Sequence, residues 1–566
     1  IISFVAALIS IFNFYKAEKS PLPELQKGWL KNGQITFLLH GLAVFGIVIT
    51  LFTIISNHYY EYFYAWSHSS RALPVEYIIS SFWEGQEGSF LLWLFWNVLL
   101  GFIILLTNKK WAPSVMLSFA VVQAFLSSMI LGVVIGDFKI GSSPFILLRE
   151  AMDAPIFNIN PDYVPEDGTG LNPLLQNYWM VIHPPVLFLG YATTLIPFAY
   201  AIGGLWKKDF KGWVRPALPW ALFSAAILGV GILMGGYWAY ETLNFEGFWN
   251  WDPVENASLV PWLVLVASIH TMITYKKSET ALKASIILVL SVFLMVLYAT
   301  FMVRSGVLGE SSVHSFTDLG LSGQLLLYLL SFLIVSIVLA VVRWKHIPST
   351  EKEVSTYSRE FWIFMGATLL CLMGFQILLP TSIPVYNSII QSFGGISNLA
   401  PPADQVEFYT KWQMWFAVGL AILSGTGQFF WWQKMKKSEV KESLLFPILI
   451  TLMISALIIV LAGMSNIPYI ILVIAAVYTI VANAKIFFKI VKSNFKLSGG
   501  AIAHIGLGMM LLGILFSTGY SRTISLNETG LLLTNSEEVE DNFNQENIPL
   551  FINDPQTMGE YTLTYR

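Results

Sequence analysis

The stretch "GFWNWDPVENASLVPW", residues 247 to 262, concentrates side chains that could hold a large flat ligand. Trp249, Trp251 and Trp262 lie here together with Phe248. Flat rings offer a planar macrocycle dispersion and offset stacking, and indole N–H groups can donate to its carboxylates. Trp also collects at membrane interfaces, so a single interfacial Trp is usually only an anchor. The clustering of these rings favours a binding role.

Polar side chains follow the two leading tryptophans, and Pro253 and Pro261 stiffen the loop. This pattern yields a predicted catalytic set of five residues: Trp249, Trp251, Asp252, Glu255 and Asn256.

Two histidines flank this loop on the same predicted side of the chain. His183 opens an apolar span as "HPP", and Pro184 and Pro185 suit the first turn of a helix, so its imidazole is expected at the outer boundary. His314 lies in "SSVHSF", in the loop after the eighth span. Three further histidines fall in loops and are expected to be solvated or structural: His58, His68 and His346.

Two other histidines share a depth within the membrane. His270 lies six residues before Lys276, roughly 9 Å by helical rise, and His504 lies eight residues after Lys496, roughly 12 Å. Two imidazoles at one depth on different helices can hold a planar metallocycle between them, because haem iron accepts axial nitrogen ligands on both faces. The alternative is that each imidazole bonds to a neighbouring carbonyl. His40 has a similar depth, and spacing does not exclude it.

The amino-acid composition indicates that these residues belong to a membrane protein. The 566 residues are 55% hydrophobic and only 12% charged, with a mean hydropathy of +0.64, which excludes an ordinary soluble protein. The single cysteine, Cys371, excludes an internal disulfide, a CxxC pair and a thiolate metal cluster. Redox chemistry would therefore need a bound cofactor. No nucleic acid partner is expected.

Apolar runs long enough to cross a bilayer recur along the chain and predict an all-α polytopic membrane protein. About fourteen spans are predicted, at roughly 1–15, 35–56, 90–107, 112–135, 184–206, 219–240, 259–275, 281–303, 321–342, 361–380, 412–432, 443–462, 467–491 and 501–520. Both ends of the chain are expected to be truncated, since it opens without methionine and stops within a strand-like segment.

The basic residues predict how these spans are oriented. If the loop at 16–34 is cytoplasmic, alternate connections hold 25 of the 32 lysines and arginines. The Trp-rich loop then faces outward, as do the longest connections. We predict three divisions: a transmembrane domain at 1–520, an external loop at 241–262 within it, and the start of a small external β-rich domain at 521–566.

The segment "GFWNWDPVENASLVPW" resembles the WWD signature of the haem-handling proteins of cytochrome c maturation. Within that superfamily the chain resembles the CcmF family, the haem lyase component of the multi-protein system I. The number of spans, the stretch "WEGQEGSFLLW" from Trp83 to Trp93 and the placing of four histidines carry the resemblance. The family normally closes with a further outer domain and a last span, which implies fifteen spans in a complete chain.

The resemblance implies a role for each of the four histidines. His183 and His314 would ligate the haem being delivered, and His270 and His504 would ligate a resident haem b. His40 has no counterpart. The implied reaction joins the haem vinyl groups to the thiols of a CxxCH motif on apocytochrome c, with ferrous iron and with quinol as an electron source. The implied partners are the haem chaperone CcmE, the docking and reductase components CcmH and CcmI, and membrane lipid, at the periplasmic face of a bacterial inner membrane.

Two other classes of protein remain as alternatives. A single-chain cytochrome c synthase of the CcsA type shares the WWD loop, but it has far fewer spans and lacks the "EGS" stretch. A proton-coupled transporter usually needs carboxylates or lysines deep in its spans. Here the core spans hold no Asp or Glu, and Lys485 lies near a cytoplasmic end. The "GQEGS" stretch is open to a second interpretation, as a tight packing turn.

Overall fold

The structure is a computed structural model of the chain and consists mainly of long helices. It describes residues 1–136, 138–242, 247–275, 279, 281–309, 312, 320–349, 356, 358–430, 437–490, 492, 494–527, 530, 532–534 and 543–566. This architecture confirms the predicted class of all-α polytopic membrane protein.

Helices follow one another along most of the described chain, and short strands form two small hairpins. The α-helices are α1 (Ile2–Lys19), α2 (Pro23–Ser56), α3 (Phe63–His68), α4 (Val75–Glu84), α5 (Gln86–Thr107), α6 (Ala112–Met129), α7 (Leu148–Ala151), α8 (Pro155–Ile159), α9 (Tyr178–Lys207), α10 (Val214–Glu241), α11 (Pro253–Tyr275), α12 (Ala281–Arg304), α13 (Ser322–Arg343), α14 (Arg359–Thr381), α15 (Ile383–Ser392), α16 (Gln405–Gly427), α17 (Lys437–Leu461), α18 (Ile467–Lys485), α19 (Gly499–Ile514) and α20 (Phe543–Glu546). The strands are β1 (Val133–Ile135), β2 (Phe138–Ile140), β3 (Pro555–Met558) and β4 (Tyr561–Thr564). Tighter 3-10 turns lie at Pro173–Leu175 and Trp344–His346, and π-helical turns at Ile486–Ile490 and Leu515–Gly519.

Within the described residues, twelve helices are long and apolar enough to cross a membrane, and they coincide with twelve of the predicted spans. The other two predicted spans are helices as well, α1 and α16. However, α1 ends with the charged residues Lys16, Glu18 and Lys19, and α16 carries Glu407 and Lys411 in its first two turns. The predicted total of about fourteen therefore stays a prediction, although each of the fourteen positions is helical.

Several predicted span boundaries differ from the observed helix ends, and two of these differences have a clear local cause. Helix α6 ends at Met129 instead of near residue 135, because Gly132 adopts a φ of 61° and the chain turns into the β1–β2 hairpin. Helix α9 begins at Tyr178, where the side chain of Asn177 accepts from the Trp179 N–H. Pro184 and Pro185 consequently lie inside the helix and not in its first turn.

The packing divides into a large N-terminal bundle and a smaller C-terminal one. Phe198, Phe293 and Phe332 pack ring to ring at the centre of the large bundle, with centroids 4.8 to 5.7 Å apart. In the smaller bundle, α16, α18 and α19 pack around small side chains such as Ala421 and Ala476. Helices α11 and α14 pack against each other and connect the two bundles.

The loops that connect the helices lie at two opposite ends of the bundle, and side chains of neighbouring loops contact one another there. At one end the cations pair across loops, as in Lys110 with Asp209, Lys207 with Glu18 and Lys211 with Glu279. At the other end lie the Trp-rich loop, the start of α9 and the end of α12. The predicted grouping of the outer connections is therefore reproduced in space.

The tail after α19 holds little regular structure in its described part. Strands β3 and β4 form an antiparallel hairpin in which Pro555 pairs with Thr564, and α20 is a single short turn of helix. This hairpin fits the start of a β-rich unit, while the predicted division boundaries at 241–262 and 521–566 stay predictions.

Candidate functional site

The structure brings the two histidines of the inner pair together. His270 projects from α11 and His504 from α19, and their imidazole centroids lie 6.2 Å apart with ring planes inclined by only 4°. Both rings are partly uncovered by protein. Because the two helices belong to different bundles, the pair lies at the junction between them.

One nitrogen of each imidazole is already engaged by the protein. His270 Nδ1 lies 2.7 Å from the Val266 carbonyl oxygen, one turn earlier in α11, so it donates there and leaves Nε2 with a free lone pair. His504 Nδ1 lies 2.7 Å from Nε2 of the Gln428 amide. The oxygen and nitrogen of a side-chain amide can exchange places by a flip, and a flipped Gln428 accepts from His504 Nδ1–H through Oε1, which leaves His504 Nε2 with a free lone pair.

This geometry suits two axial ligands to one metal. Imidazole nitrogens bind metals at about 2.0–2.1 Å, so two rings on opposite faces of one ion have centroids about 6 Å apart. No group of three or more metal-ligating side chains occurs among the described residues. Two ligands suffice for haem iron, because the porphyrin supplies the other four. The residues present therefore fit a haem.

A cation stands near this pair. The charge of Arg359, at the start of α14, acts on both imidazoles. A guanidinium is the side chain best suited to a carboxylate such as a haem propionate. Sequence reasoning singles out neither Arg359 nor Gln428, since a single Arg or Gln at a helix end carries no spacing signal.

His40 is held elsewhere. Its Nδ1 lies 2.9 Å from the Ser3 carbonyl oxygen and its ring packs 5.7 Å from Phe37, so it joins α1 to α2 inside the large bundle. The ring is fully buried. The structure thus gives His40 a packing environment distinct from that of the inner pair.

Of the predicted outer pair, only His183 lies within the described residues; His314 lies outside them. His183 is in the second turn of α9, and its Nδ1 donates to the Gly231 carbonyl oxygen at 2.8 Å. The ring lies nearly parallel to Trp238, with centroids 6.4 Å apart. A side chain at Gly235 would come within 2.9 Å of this ring, so the glycine makes room for it.

The two leading tryptophans of the loop have different environments. Trp251 has a φ of 58°, stacks on Tyr409 with centroids 5.3 Å apart, and donates from Nε1 to Thr410 Oγ1 at 3.2 Å. Trp249 meets Trp251 edge-on at 5.9 Å. Its buried indole N–H has no hydrogen-bond partner among the described residues. Trp249 is therefore the ring of the two that is left to contact a ligand.

The polar residues of the loop form a helix cap. Asp252 Oδ1 accepts from the Val254 N–H at 2.8 Å, Pro253 is the first helical residue, and Glu255 Oε2 accepts from the Asp252 N–H at 3.0 Å. The Glu255 contact is one half of a capping box, while the Asp252 side chain caps the N2 N–H at the start of α11. The run "DPVE" carries its sequence signature, so the sequence does contain a signal for the cap beside the predicted catalytic role.

The same residues also connect the loop to its neighbours. Asn256 is buried and donates to the Trp251 carbonyl oxygen at 2.7 Å and to Thr381 Oγ1 at 3.1 Å. Ser312, two residues before His314 in the sequence, donates to Asp252 Oδ1 at 2.9 Å. The five residues predicted as catalytic are thus brought together, and four of them make contacts that fix the loop. A catalytic role for them stays a prediction.

The "WEGQEGS" stretch forms an elbow between α4 and α5. Trp83 donates to the Met180 carbonyl oxygen at 3.0 Å, and Gln86 donates to the Arg304 carbonyl oxygen at 2.9 Å. A side chain at Gly88 would lie 1.7 Å from the Phe82 carbonyl oxygen, so only glycine fits. The elbow therefore joins the start of α9 to the end of α12, and it serves as a packing turn, which is one of its two interpretations.

His68 and Glu84 lie in contact behind this elbow. His68 stacks on Tyr64 with centroids 4.3 Å apart, and its Nε2 lies 3.0 Å from Glu84 Oε2. Burial lowers the pKa of His68 to about 4, so its imidazole is neutral at pH 7. This loop histidine is therefore structural, which is one of the two roles predicted for it.

Comparison with known proteins places this architecture in a class. The family model described as "Cytochrome C assembly protein" matches residues 83–308, which run from the elbow to the end of α12. A solved structure named "Cytochrome c Heme Lyase CcmF" has the same fold, with a TM-score of 0.70 and 20% sequence identity over 92% of this chain and 76% of that chain.

Curated relatives define the family more closely. The cytochrome c-type biogenesis protein CcmF of Pseudomonas fluorescens is 30% identical, and the match covers 86% of this chain and 70% of that protein. CcmF of Haemophilus influenzae is 28% identical over 91% of this chain and 77% of its own length. The chain belongs to the CcmF family of cytochrome c-type biogenesis proteins and is a multi-pass membrane protein of a cytochrome c maturation system.

Proposed function

We propose that this protein is a haem lyase that holds a resident haem b between His270 and His504 and attaches a second haem, its substrate, to apocytochrome c at the outer face. The observation that carries the proposal is the pair of parallel imidazoles 6.2 Å apart at the junction of the two bundles. Polar rings only partly covered by protein at membrane depth need a partner, and an iron between them supplies one for each.

The residues of the inner site then have separate tasks. His270 and His504 would hold the haem, the Val266 carbonyl and Gln428 would orient their imidazoles, and Arg359 would offer its charge to a propionate. A bound haem supplies one-electron chemistry at this depth. Quinol is the reductant we propose, and electrons from it would hold the substrate haem in the ferrous state.

The outer site receives the substrate. His183 and His314 are the proposed axial ligands, and the Trp249 indole N–H is available to a propionate while its ring stacks on the porphyrin. Each thioether bond forms when a cysteine thiol of the CxxCH motif adds across a haem vinyl group, with the sulfur on one carbon and the thiol hydrogen on the other. Both thiols belong to apocytochrome c, consistent with the single cysteine of this chain.

The proposed setting follows from the same assignment. The outer site faces the periplasm from a bacterial inner membrane, haem arrives on the chaperone CcmE, and the docking and reductase components CcmH and CcmI present the apocytochrome. The match of the chain to CcmF relatives supports this assembly.

Haem content of purified variants tests the inner site. We expect wild type to carry one low-spin haem b, and His270→Ala or His504→Ala to lose it, as measured by Soret absorbance and pyridine haemochrome. The matched control is His40→Ala, which removes a buried membrane imidazole that lies away from the junction of the two bundles and should keep the haem. Retention of the haem in His504→Ala together with its loss in His40→Ala would refute the assignment.

A further inference from the structure

A cavity of about 270 Å³ opens at the end of the molecule opposite the Trp-rich loop. It lies between the α9–α10 connection, the first turn of α10 and the last residue of α11, and it is lined by Lys211, Val214, Arg215 and Tyr275. None of these residues takes part in the histidine sites. This end is the one predicted to be cytoplasmic from the distribution of basic residues.

Among the described residues, the charges around this cavity leave Arg215 as a surplus cation. Lys211 hydrogen-bonds to Glu279, and Asp209 accepts from the Gly212 N–H and faces Lys110 at 3.5 Å. Each nearby carboxylate thus has its own cation. Arg215 is exposed and makes no hydrogen bond or ion pair within the described part of the chain.

Arg215 also stands at one end of an apolar stripe. Exposed apolar residues follow Arg215 along α10 at intervals of three or four residues, so they share its face of the helix. They are Pro219, Leu222, Phe223, Ala226, Val230 and Leu233. In a membrane this row contacts acyl chains. The cationic cavity therefore opens onto an apolar, lipid-facing surface. Together they suit a ligand with an anionic part and an apolar part.

We propose that this cavity binds the headgroup of an anionic phospholipid, with its acyl chains along the stripe of α10. Arg215 gives the phosphate a planar pair of donors, and the Tyr275 hydroxyl donates a third bond. Basic pockets between membrane helices on the cytoplasmic side are suited to such headgroups. The site is independent of the proposed haem chemistry.

Lipid binding to the purified full-length chain in detergent tests the proposal. Native mass spectrometry would measure the affinity for dioleoylphosphatidylglycerol, dioleoylphosphatidylcholine and sodium phosphate separately. We expect tight binding of phosphatidylglycerol and a loss of about tenfold in Arg215→Gln, since one charge-assisted bond is removed. Arg215→Lys keeps the charge without the planar fork and should fall between the two.

Controls distinguish a built site from a generally basic surface. Lys31→Gln removes an exposed lysine from α2 on the same predicted side and should leave the affinity unchanged. Arg215 is exposed, so its variant should fold. Equal losses in Lys31→Gln and Arg215→Gln would overturn the proposal. Equal affinity for phosphatidylcholine, or equal competition by sodium phosphate, would overturn it as well.

Discussion

The inner histidine pair and the outer loop are built in opposite ways. His270 and His504 each stand within a regular helix, whose backbone needs nothing from them, so their imidazoles remain available for a ligand. In the outer loop, Asp252, Glu255 and Asn256 are engaged in the backbone of the loop itself. A site on helices is held rigid by the helix backbone, whereas a site on a loop needs hydrogen bonds from its own polar side chains to become rigid.

The largest effect is expected where the outer region depends on a single glycine. In Gly88→Ala the new carbon would lie 1.7 Å from the Phe82 carbonyl oxygen, so the elbow must open at a cost of about 3 kcal/mol or more. We expect cytochrome c assembly to fail while the resident haem persists, as read from holocytochrome yield and Soret absorbance. Gly46→Ala, where nothing lies within 4 Å, is the control and should behave as wild type. Loss of the resident haem in Gly88→Ala would show that the two regions are not separable.

A smaller effect is expected from Gln428, which orients one ligand of the inner pair. Gln428→Leu removes the partner of His504 Nδ1 and should weaken haem retention about 10- to 100-fold, measured as transfer of haem to apomyoglobin. Gln413→Leu removes another amide from α16, one that bonds to the Met373 carbonyl oxygen, and should not affect retention. If both variants retain haem equally, α19 alone orients His504.

The smallest effect separates capping from catalysis at Glu255. Glu255→Gln keeps an oxygen that can accept from the Asp252 N–H, so it should retain most activity, whereas Glu255→Ala should lose about 1 kcal/mol of stability and part of the cytochrome c yield. Thermal unfolding and holocytochrome yield measure the two effects. A Gln variant as inactive as the Ala variant would mean that the carboxylate charge takes part in chemistry.

The sequence is sufficient for the helices and for the shared depth of His270 and His504. Apolar length predicts a span, and distance from a basic boundary predicts depth, because both depend on local sequence and on the membrane alone. The alternative ligand His40 cannot be set aside in this way, since its depth is similar. Only the packing of α1 against α2 places His40 away from the junction where His270 and His504 meet.

The roles of the outer residues are harder to predict. Trp251 turns toward α16 because its backbone adopts a positive φ, and no property of the residue type announces that. The predicted boundary of α9 is wrong because a proline pair suits a first turn equally well as the interior of a membrane helix whose neighbours satisfy the backbone. Contacts between distant segments decide both cases.

The prolines inside the membrane helices have a consequence for assembly. Pro184 has no N–H, so the Met180 carbonyl receives no bond from within α9, and the indole of Trp83 supplies one. In α17, Pro447 likewise leaves the Ser443 carbonyl open, and Lys485 donates to it at 2.7 Å. A newly inserted helix with such an open acceptor is destabilised in lipid until the right donor arrives. These two prolines thus mark places where one particular neighbour must dock, and a helix inserted beside any other partner retains the penalty of an unsatisfied carbonyl.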